Sequence, residues 1–277
     1  MNIIRKILST LAVTVLFTAV AQAQISEGTV KVFTVKGNVS LIDIETKKAE
    51  PLRRGMEFSA GKMVSTGENS TALLLFSNGA AVNVSEKSTV SVDQFIQAKF
   101  DPQLGSYLRL TEDPSQSKTE LYVEEGTIAG QVKRLQNGSQ YDVNTPNASA
   151  GIRGTDYVVT VVISGGQLST VITNASGDVV AVAQGNPIGL SPGESVTITA
   201  NRVVDPNTGT VTYDVTDIGT PGPATADEIQ TANDAVDQIN DATVAPVPSV
   251  PTATPGTEGE TPVLDIDPGI NVSPAGG

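Results

Sequence analysis

From residue 28 to about residue 214, hydrophobic and polar positions alternate in short runs of period two, and turn residues break each run. Val30, Val32 and Thr34 share one face, with Lys31 and Phe33 between them. That period places successive side chains on opposite sides of a pleated strand. Val39 and Leu41 also share a face, but the phase then changes and Ile42 and Ile44 share the other. The change predicts either a bulge or a strand buried on both sides. Glycines 55, 61, 67 and 79 lie mostly too close together for helices between them. Later runs predict longer strands over residues 121–124, 127–132, 157–163, 168–173, 178–183 and 195–200, with a hairpin turning near Glu125 and Gly126. Residues 101–118 are polar, contain Pro102 and Pro114, and predict a surface excursion. The predicted fold class is all-β, with many short antiparallel strands closed by hairpins.

Residues 145–159, TPNASAGIRGTDYVV, are the most informative run. Thr145, Pro146 and Asn147 mark a turn, because proline fixes φ and asparagine closes a local hydrogen bond. Residues 157–162 are β-branched and aromatic, the composition of a buried strand. Arg153 stands at the mouth of that strand, and its guanidinium must be paired or must reach water. Paired, it pins two strands through turn carbonyls or a carboxylate. Unpaired, it presents a charge to a partner or ligand. The structural role is the simpler expectation, since an arginine before a strand has local acceptors. A second dense run covers residues 64–92, where Thr66-Gly67 and Ser77-Asn78-Gly79 flank the apolar stretch 72–76.

These two runs, in this order, resemble the FecR domain family. Leu52 and Gly55 lead to Gly61 and Thr66-Gly67, then a strand, then the Asn78-Gly79 turn. Glu125-Gly126 and Thr145-Pro146 follow, then Ala150 to Tyr157 with Arg153, Gly154 and Thr155 at the centre, and Gly193 near the end. The resemblance spans roughly residues 30–200. Residues 174–179 match the family's usual turn only loosely. The resemblance implies a twisted, solenoid-like or sandwich-like stack of short strands. The motif residues it selects are Gly67, Asn78, Gly79, Gly126, Arg153, Gly154 and Thr155, read as structural. In the regulators that define the family, the domain lies outside the membrane. One spanning helix joins it there to a cytoplasmic anti-sigma segment, and it senses an outer-membrane transporter. Neither that segment nor a later spanning helix is read in this sequence. The resemblance therefore implies a fold and a protein-binding tendency rather than that signalling mechanism.

The two ends have a different composition. Arg5 and Lys6 precede a mostly apolar stretch at 7–20, and Ala21-Gln22-Ala23 is a small-residue cleavage site. This is the pattern of an export signal over residues 1–23, with a mature chain starting at Gln24. The apolar stretch is shorter than the ~20 residues a spanning helix needs. No cysteine follows for lipid attachment. Beyond Ile218 lie nine of the 16 prolines and nine acids, and no lysine or arginine occurs after Arg202. The expected organisation is a β domain over residues 24–218, a short helical or linker segment at 219–243, and a Pro/Thr-rich acidic disordered tail at 244–277. Within the linker, Ile229, Ala232, Val236 and Ile239 share one helical face, and Asp227 and Glu228 would start the helix.

Charge and composition remove several function classes. Loss of Arg5 and Lys6 lowers 17 basic residues to 15 against 30 acids, a balance that disfavours nucleic acid. At 39% hydrophobic and only 4% aromatic, the core must be built from Val, Ile, Leu and Ala, and no cysteine is present to staple it. The chain has no histidine, cysteine or tryptophan, which removes Ser-His-Asp and Cys-His catalysis and zinc sites built on those residues. Gly189-Leu190-Ser191-Pro192-Gly193 spells the serine-hydrolase string, but proline follows the serine and a strand follows the motif. Asp205-Pro206-Asn207-Thr208-Gly209 begins like a calcium loop but lacks its later glycine and glutamate, and predicts a hairpin turn. Glu124 and Glu125 would point to opposite faces of a strand.

No catalytic, cofactor or metal site is therefore expected. The expected role is an exported, non-catalytic binding or sensing module in the cell envelope, periplasmic or extracellular. Its partner would be an envelope protein or glycan, with no nucleic acid and no membrane span after signal cleavage. The alternative is a structural cell-surface or matrix protein with an acidic spacer tail.

Overall fold

The computed structural model describes residues 25–100 and 110–244. The predicted signal, the predicted tail beyond residue 244 and most of the polar excursion lie outside them.

The described residues form nineteen strands and one helix. The first half contains β1 (Ile25–Glu27), β2 (Val30–Lys36), β3 (Val39–Asp43), β4 (Ala49–Pro51), β5 (Glu57–Phe58), β6 (Lys62–Thr66), β7 (Thr71–Phe76), β8 (Ala81–Val84) and β9 (Thr89–Ala98). A long β10 (Ser117–Gln131) leads to β11 (Gln140–Asn144), β12 (Ser149–Arg153), β13 (Asp156–Ser164), β14 (Gln167–Asn174) and β15 (Asp178–Ala183). Then come β16 (Asn186–Leu190), β17 (Glu194–Val204), β18 (Val211–Ile218), β19 (Gly222–Pro223) and α1 (Ala226–Val244).

Two open sheets result, joined through β10. The first runs β4-β3-β6-β9-β10-β11-β12-β15-β16, with β1 beside the end of β9. All its pairs are antiparallel except β10 with β11. The second runs β5-β2-β7-β8-β10-β13-β14-β17-β18, antiparallel throughout, with β19 beside the start of β17. Strands are laid down mostly as hairpins in one sheet, after which the chain crosses to the other. The all-β prediction holds, and the architecture is a sandwich wound like a flattened solenoid.

Three local expectations are corrected. Residues 117–131 do not form a hairpin at Glu125 and Gly126. They are one strand whose first part pairs with β9 and β11 and whose last part pairs with β8 and β13. Gly126 has φ +95°, so the strand passes from sheet to sheet without reversing. A Cβ there would overlap the Cα of Ser88. The phase change at Leu41 and Ile42 produces no bulge, since β3 keeps its register through both residues. Val39 and Leu41 face the core, and Ile42 is half-buried on the outer face. The irregularity lies instead in β2, between Val32 and Thr34. Finally, the end of the polar excursion turns inward. Asp113 is fully buried and accepts hydrogen bonds from the hydroxyls of Ser117 at 2.7 Å and Ser139 at 2.8 Å.

One apolar cluster fills the space between the sheets, with Val32, Leu74, Ile128 and Ile172 from one side and Val64, Val92, Val143 and Val179 from the other. The two largest fully buried side chains among the described residues meet across it. Tyr141 and Tyr157 are fully buried, with their hydroxyls 3.0 Å apart. Burial raises both phenols above the usual tyrosine range.

The outer face of the second sheet carries α1. Thr225 and Glu228 form a reciprocal capping box: the Glu228 N–H donates to the Thr225 hydroxyl at 3.3 Å, and the Thr225 N–H donates to the Glu228 carboxylate at 2.7 Å. Ala232 and Ala235 are buried against Ala129 and Val158, and Ile239 against Leu73, Leu75 and Ala81. The segment predicted as a short helix or linker is therefore a third layer of the domain. Among the described residues, no helix is long and apolar enough to cross a membrane.

Candidate functional site

The run at residues 145–159 is the place where the chain changes sheets. β12 belongs to the first sheet and β13 to the second. Gly154 makes the corner at φ +61°. Thr155 follows and is buried, its hydroxyl donating to the side-chain oxygen of Asn174 at 3.1 Å. The backbone carbonyl of Thr155 accepts the Val132 N–H at 2.9 Å.

Asn174 is the hub that the sequence reading missed. Its side-chain amide donates to the carbonyls of Gly177 at 3.0 Å and Leu190 at 2.7 Å. Its own carbonyl accepts the Gly193 N–H at 2.7 Å. Three successive crossings, at Gly154-Thr155, Ala175-Gly177 and Ser191-Gly193, are thus held on one fully buried side chain. An asparagine ending an apolar strand immediately before Ala-Ser-Gly was the signal for it.

Other selected residues do the same kind of work. Asn78 is buried and donates to the hydroxyls of Ser117 and Thr119, both at 3.2 Å, tying a hairpin of the second sheet to β10 of the first. Gly79 completes that hairpin with φ +88°. Asn147 works in the opposite direction, donating to the Ile198 carbonyl at 3.0 Å and accepting the Thr170 hydroxyl at 2.6 Å. At Gly67 the N–H donates to the Asn38 carbonyl at 2.9 Å. Gly126 marks the sheet change in β10.

Arg153 stands apart from this set. It ends β12 as an exposed residue, opposite Asp178 in the ladder. Among the described residues its side chain has no hydrogen bond or ion pair, so its guanidinium pins nothing there. The strand-pinning role expected of Arg153 belongs to Thr155. Arg153 instead borders a shallow groove of about 260 Å³ on the outer face of the first sheet. Gln140 and Asp142 of β11, Gly151 of β12 and Asp178 and Val180 of β15 line the same groove. Burial and the neighbouring Glu120 raise the Asp142 carboxyl above the usual range, while Lys118 opposes them.

Residues 62–186 match the family model described as FecR protein. The chain contains a FecR domain. The matched segment opens at β6 and closes just inside β16, so the FecR core holds the Asn78 hairpin, the Gly126 crossing and the Arg153-Gly154-Thr155 corner. The sandwich extends beyond it on both sides, with β1 to β5 before and β17 to α1 after. Two crystal structures of a "putative anti-sigma factor" from Parabacteroides distasonis ATCC 8503 are similar at 15% and 16% identity, with TM-scores of 0.35 and 0.34. Each match covers 56% of this chain and 60% of the other, so the chain spans about three fifths of that protein's length. None of the curated proteins matches the chain.

The motifs that imitate catalytic or metal sites sit in turns. Ser191 lies between two strands, its N–H donating to the Glu194 carboxylate at 2.8 Å. Asp205 caps the β17-β18 hairpin, accepting the Asn207 N–H at 2.7 Å and the Thr208 N–H at 3.3 Å, which lowers its pKa. Among the described residues, no three His, Cys, Asp or Glu side chains gather as metal ligands.

Proposed function

We propose that this protein is an exported, non-catalytic FecR-domain module that binds another component of the cell envelope. One observation carries the reading: an arginine of the FecR corner is left unpaired and exposed at a groove, while Thr155 and Asn174 do the structural work beside it. A guanidinium with no internal partner keeps all its donors for an external carboxylate or phosphate. Export rests on the basic, apolar and small-residue succession at residues 1–23. The acid-rich, base-free stretch after Arg202 favours a second reading, in which that end is a spacer that sets the domain off from a surface.

The test is a capture experiment from envelope extract, with wild-type protein and Arg153→Ala side by side. The binding reading expects a discrete envelope component retained by wild type and lost by the variant. Equal capture by both proteins removes Arg153 from the function. N-terminal sequencing of the extracytoplasmic protein tests export. A start at Gln24 supports it and an intact Met1 overturns it.

A further inference from the structure

The outer strands of the two sheets differ in how well they are closed to a further neighbour. β5 has two residues, β4 has three and ends in Pro51, and β16 carries Pro187. Short strands and proline are devices by which a sheet edge avoids pairing with another chain. β18 has neither. It is eight residues long, VTYDVTDI, with no proline, glycine or lysine. Among the described residues its strand partner is β17. The β17-β18 hairpin also runs past β14, whose ladder with β17 ends at Gln167 and Asn201. Val203, Val204 and Val211 near its tip are 40%, 43% and 40% exposed, so apolar surface is left uncovered there.

The direction of each backbone group on this edge follows from the hairpin. The Asp205 N–H donates to the Thr210 carbonyl at 2.9 Å, which makes that pair hydrogen-bonded. Hydrogen-bonded and non-hydrogen-bonded pairs alternate along an antiparallel ladder. Thr212, opposite Val203, and Asp214, opposite Asn201, therefore turn their N–H and C=O groups towards β17. Arg202, opposite Tyr213, donates its N–H the other way, to the Gly166 carbonyl at 2.8 Å, as this alternation requires. Val211, Tyr213 and Val215 are left with backbone groups that point outward from the sheet. Their side chains share one face, where Tyr213 and Val215 pack against the core. Thr212 and Asp214 share the other face and are exposed.

This edge is complementary to itself. An antiparallel second copy centred on Tyr213 sets Val211 against Val215 and Thr212 against Asp214. The outward backbone groups of Val211, Tyr213 and Val215 then all meet counterparts. Valine opposes valine, and a threonine hydroxyl rather than a second carboxylate opposes each Asp214. A register centred on Val215 would instead set Tyr213 against Asp217.

We propose that β18 is the contact strand of a two-fold dimer of this chain, pairing antiparallel with itself about Tyr213 and joining the second sheets of two copies. The same patch serves both copies, as a closed two-fold interface requires. The inference stands apart from the role given to Arg153.

The test is sedimentation equilibrium of the purified mature chain and of variants in β18, each over a range of concentrations. Wild type should pass reversibly from monomer to dimer. Thr212→Asp sets a carboxylate against Asp214 of the second copy and should weaken the dimer roughly 5-fold or more. Thr212→Lys sets an ammonium there and should tighten it by a similar factor, because each change is felt at two symmetric pairs. Thr212 is exposed, so the unfolding midpoint of either monomer should stay near wild type. Val211→Pro removes one outward N–H, spares the ladder to β17, and should weaken the dimer about 10-fold. Amide exchange at Val211, Tyr213 and Val215 should slow as the dimer forms. A chain that stays monomeric, an assembly larger than a dimer, or equal weakening by aspartate and lysine at position 212 overturns the proposal. Protection of those amides that does not depend on concentration also overturns it, because a segment of the same chain would then cover the edge.

Discussion

The hydroxyl of Thr155 lies 3.1 Å from the side-chain oxygen of Asn174, and that contact joins two neighbouring crossings between the sheets. Asn174 also holds the carbonyls of Gly177 and Leu190, so one buried amide serves three corners. Asn174→Ala should therefore destabilise the domain by about 3 kcal/mol or more, because several buried partners lose their bonds together. Thr155→Val keeps the shape, strands one acceptor and should cost about 1–2 kcal/mol. Urea unfolding of the two variants measures both. Near-wild-type midpoints would remove Asn174 from its place as hub.

Gly126 supplies the backbone freedom that lets β10 serve both sheets. Alanine there meets a positive φ and the Ser88 backbone at once. Gly126→Ala should cost about 2–3 kcal/mol. Gly185→Ala, also at positive φ but in open space, should cost about 1 kcal/mol. Equal unfolding midpoints for the two variants would show that the crossing is not constrained by Ser88.

Helix α1 is fastened by small and branched side chains on the second sheet. Ile239 is 1% exposed among Leu73, Leu75 and Ala81. Ile239→Ala should lower stability by about 2–4 kcal/mol, and truncation before Thr225 should lower the melting temperature by several degrees. Calorimetry of both forms checks it.

Much of this fold is legible in the period-two runs, because strands buried on one face must alternate. The runs at 157–163, 168–173, 178–183 and 195–200 lie within β13, β14, β15 and β17, whereas β11, β12, β16 and β18 were not among the runs read as strands. The joins were harder to read. Nothing in the residues around Glu125 and Gly126 distinguishes a hairpin from a strand that kinks and continues, since both need a glycine at positive φ. The helix face was readable from Ile229, Ala232, Val236 and Ile239, but its docking surface was not. That surface is the outward side of strands whose inward side also reads as core, as Leu73, Leu74 and Leu75 illustrate. At the candidate site, the importance of the Arg153-Gly154-Thr155 corner was readable and the division of labour was not. Arginine has the strongest hydrogen-bonding chemistry in that run, yet the short threonine beside it faces the interior. Asn174 is distant in sequence, so no local pattern links it to Thr155.

Asp142 gives the groove a pH signature. Burial and Glu120 raise its folded pKa above the unfolded value of 3.8. Its contribution to stability is therefore greatest below that value and is lost as pH rises through the raised folded pKa. Asp142→Asn should remove that loss, making the variant more stable than wild type at neutral pH and bringing the two curves together in acid. Denaturant midpoints across pH 3–7 test this, and a variant less stable at neutral pH would contradict it.

Arg153→Ala in equilibrium unfolding, run beside Thr155→Val, tests the central claim most directly. The guanidinium is exposed and unpaired among the described residues, so the account predicts a midpoint shift worth no more than about 0.5 kcal/mol, together with loss of envelope capture. A destabilisation of about 2–4 kcal/mol, equal to or above that of Thr155→Val, would mean that Arg153 pins the strands after all.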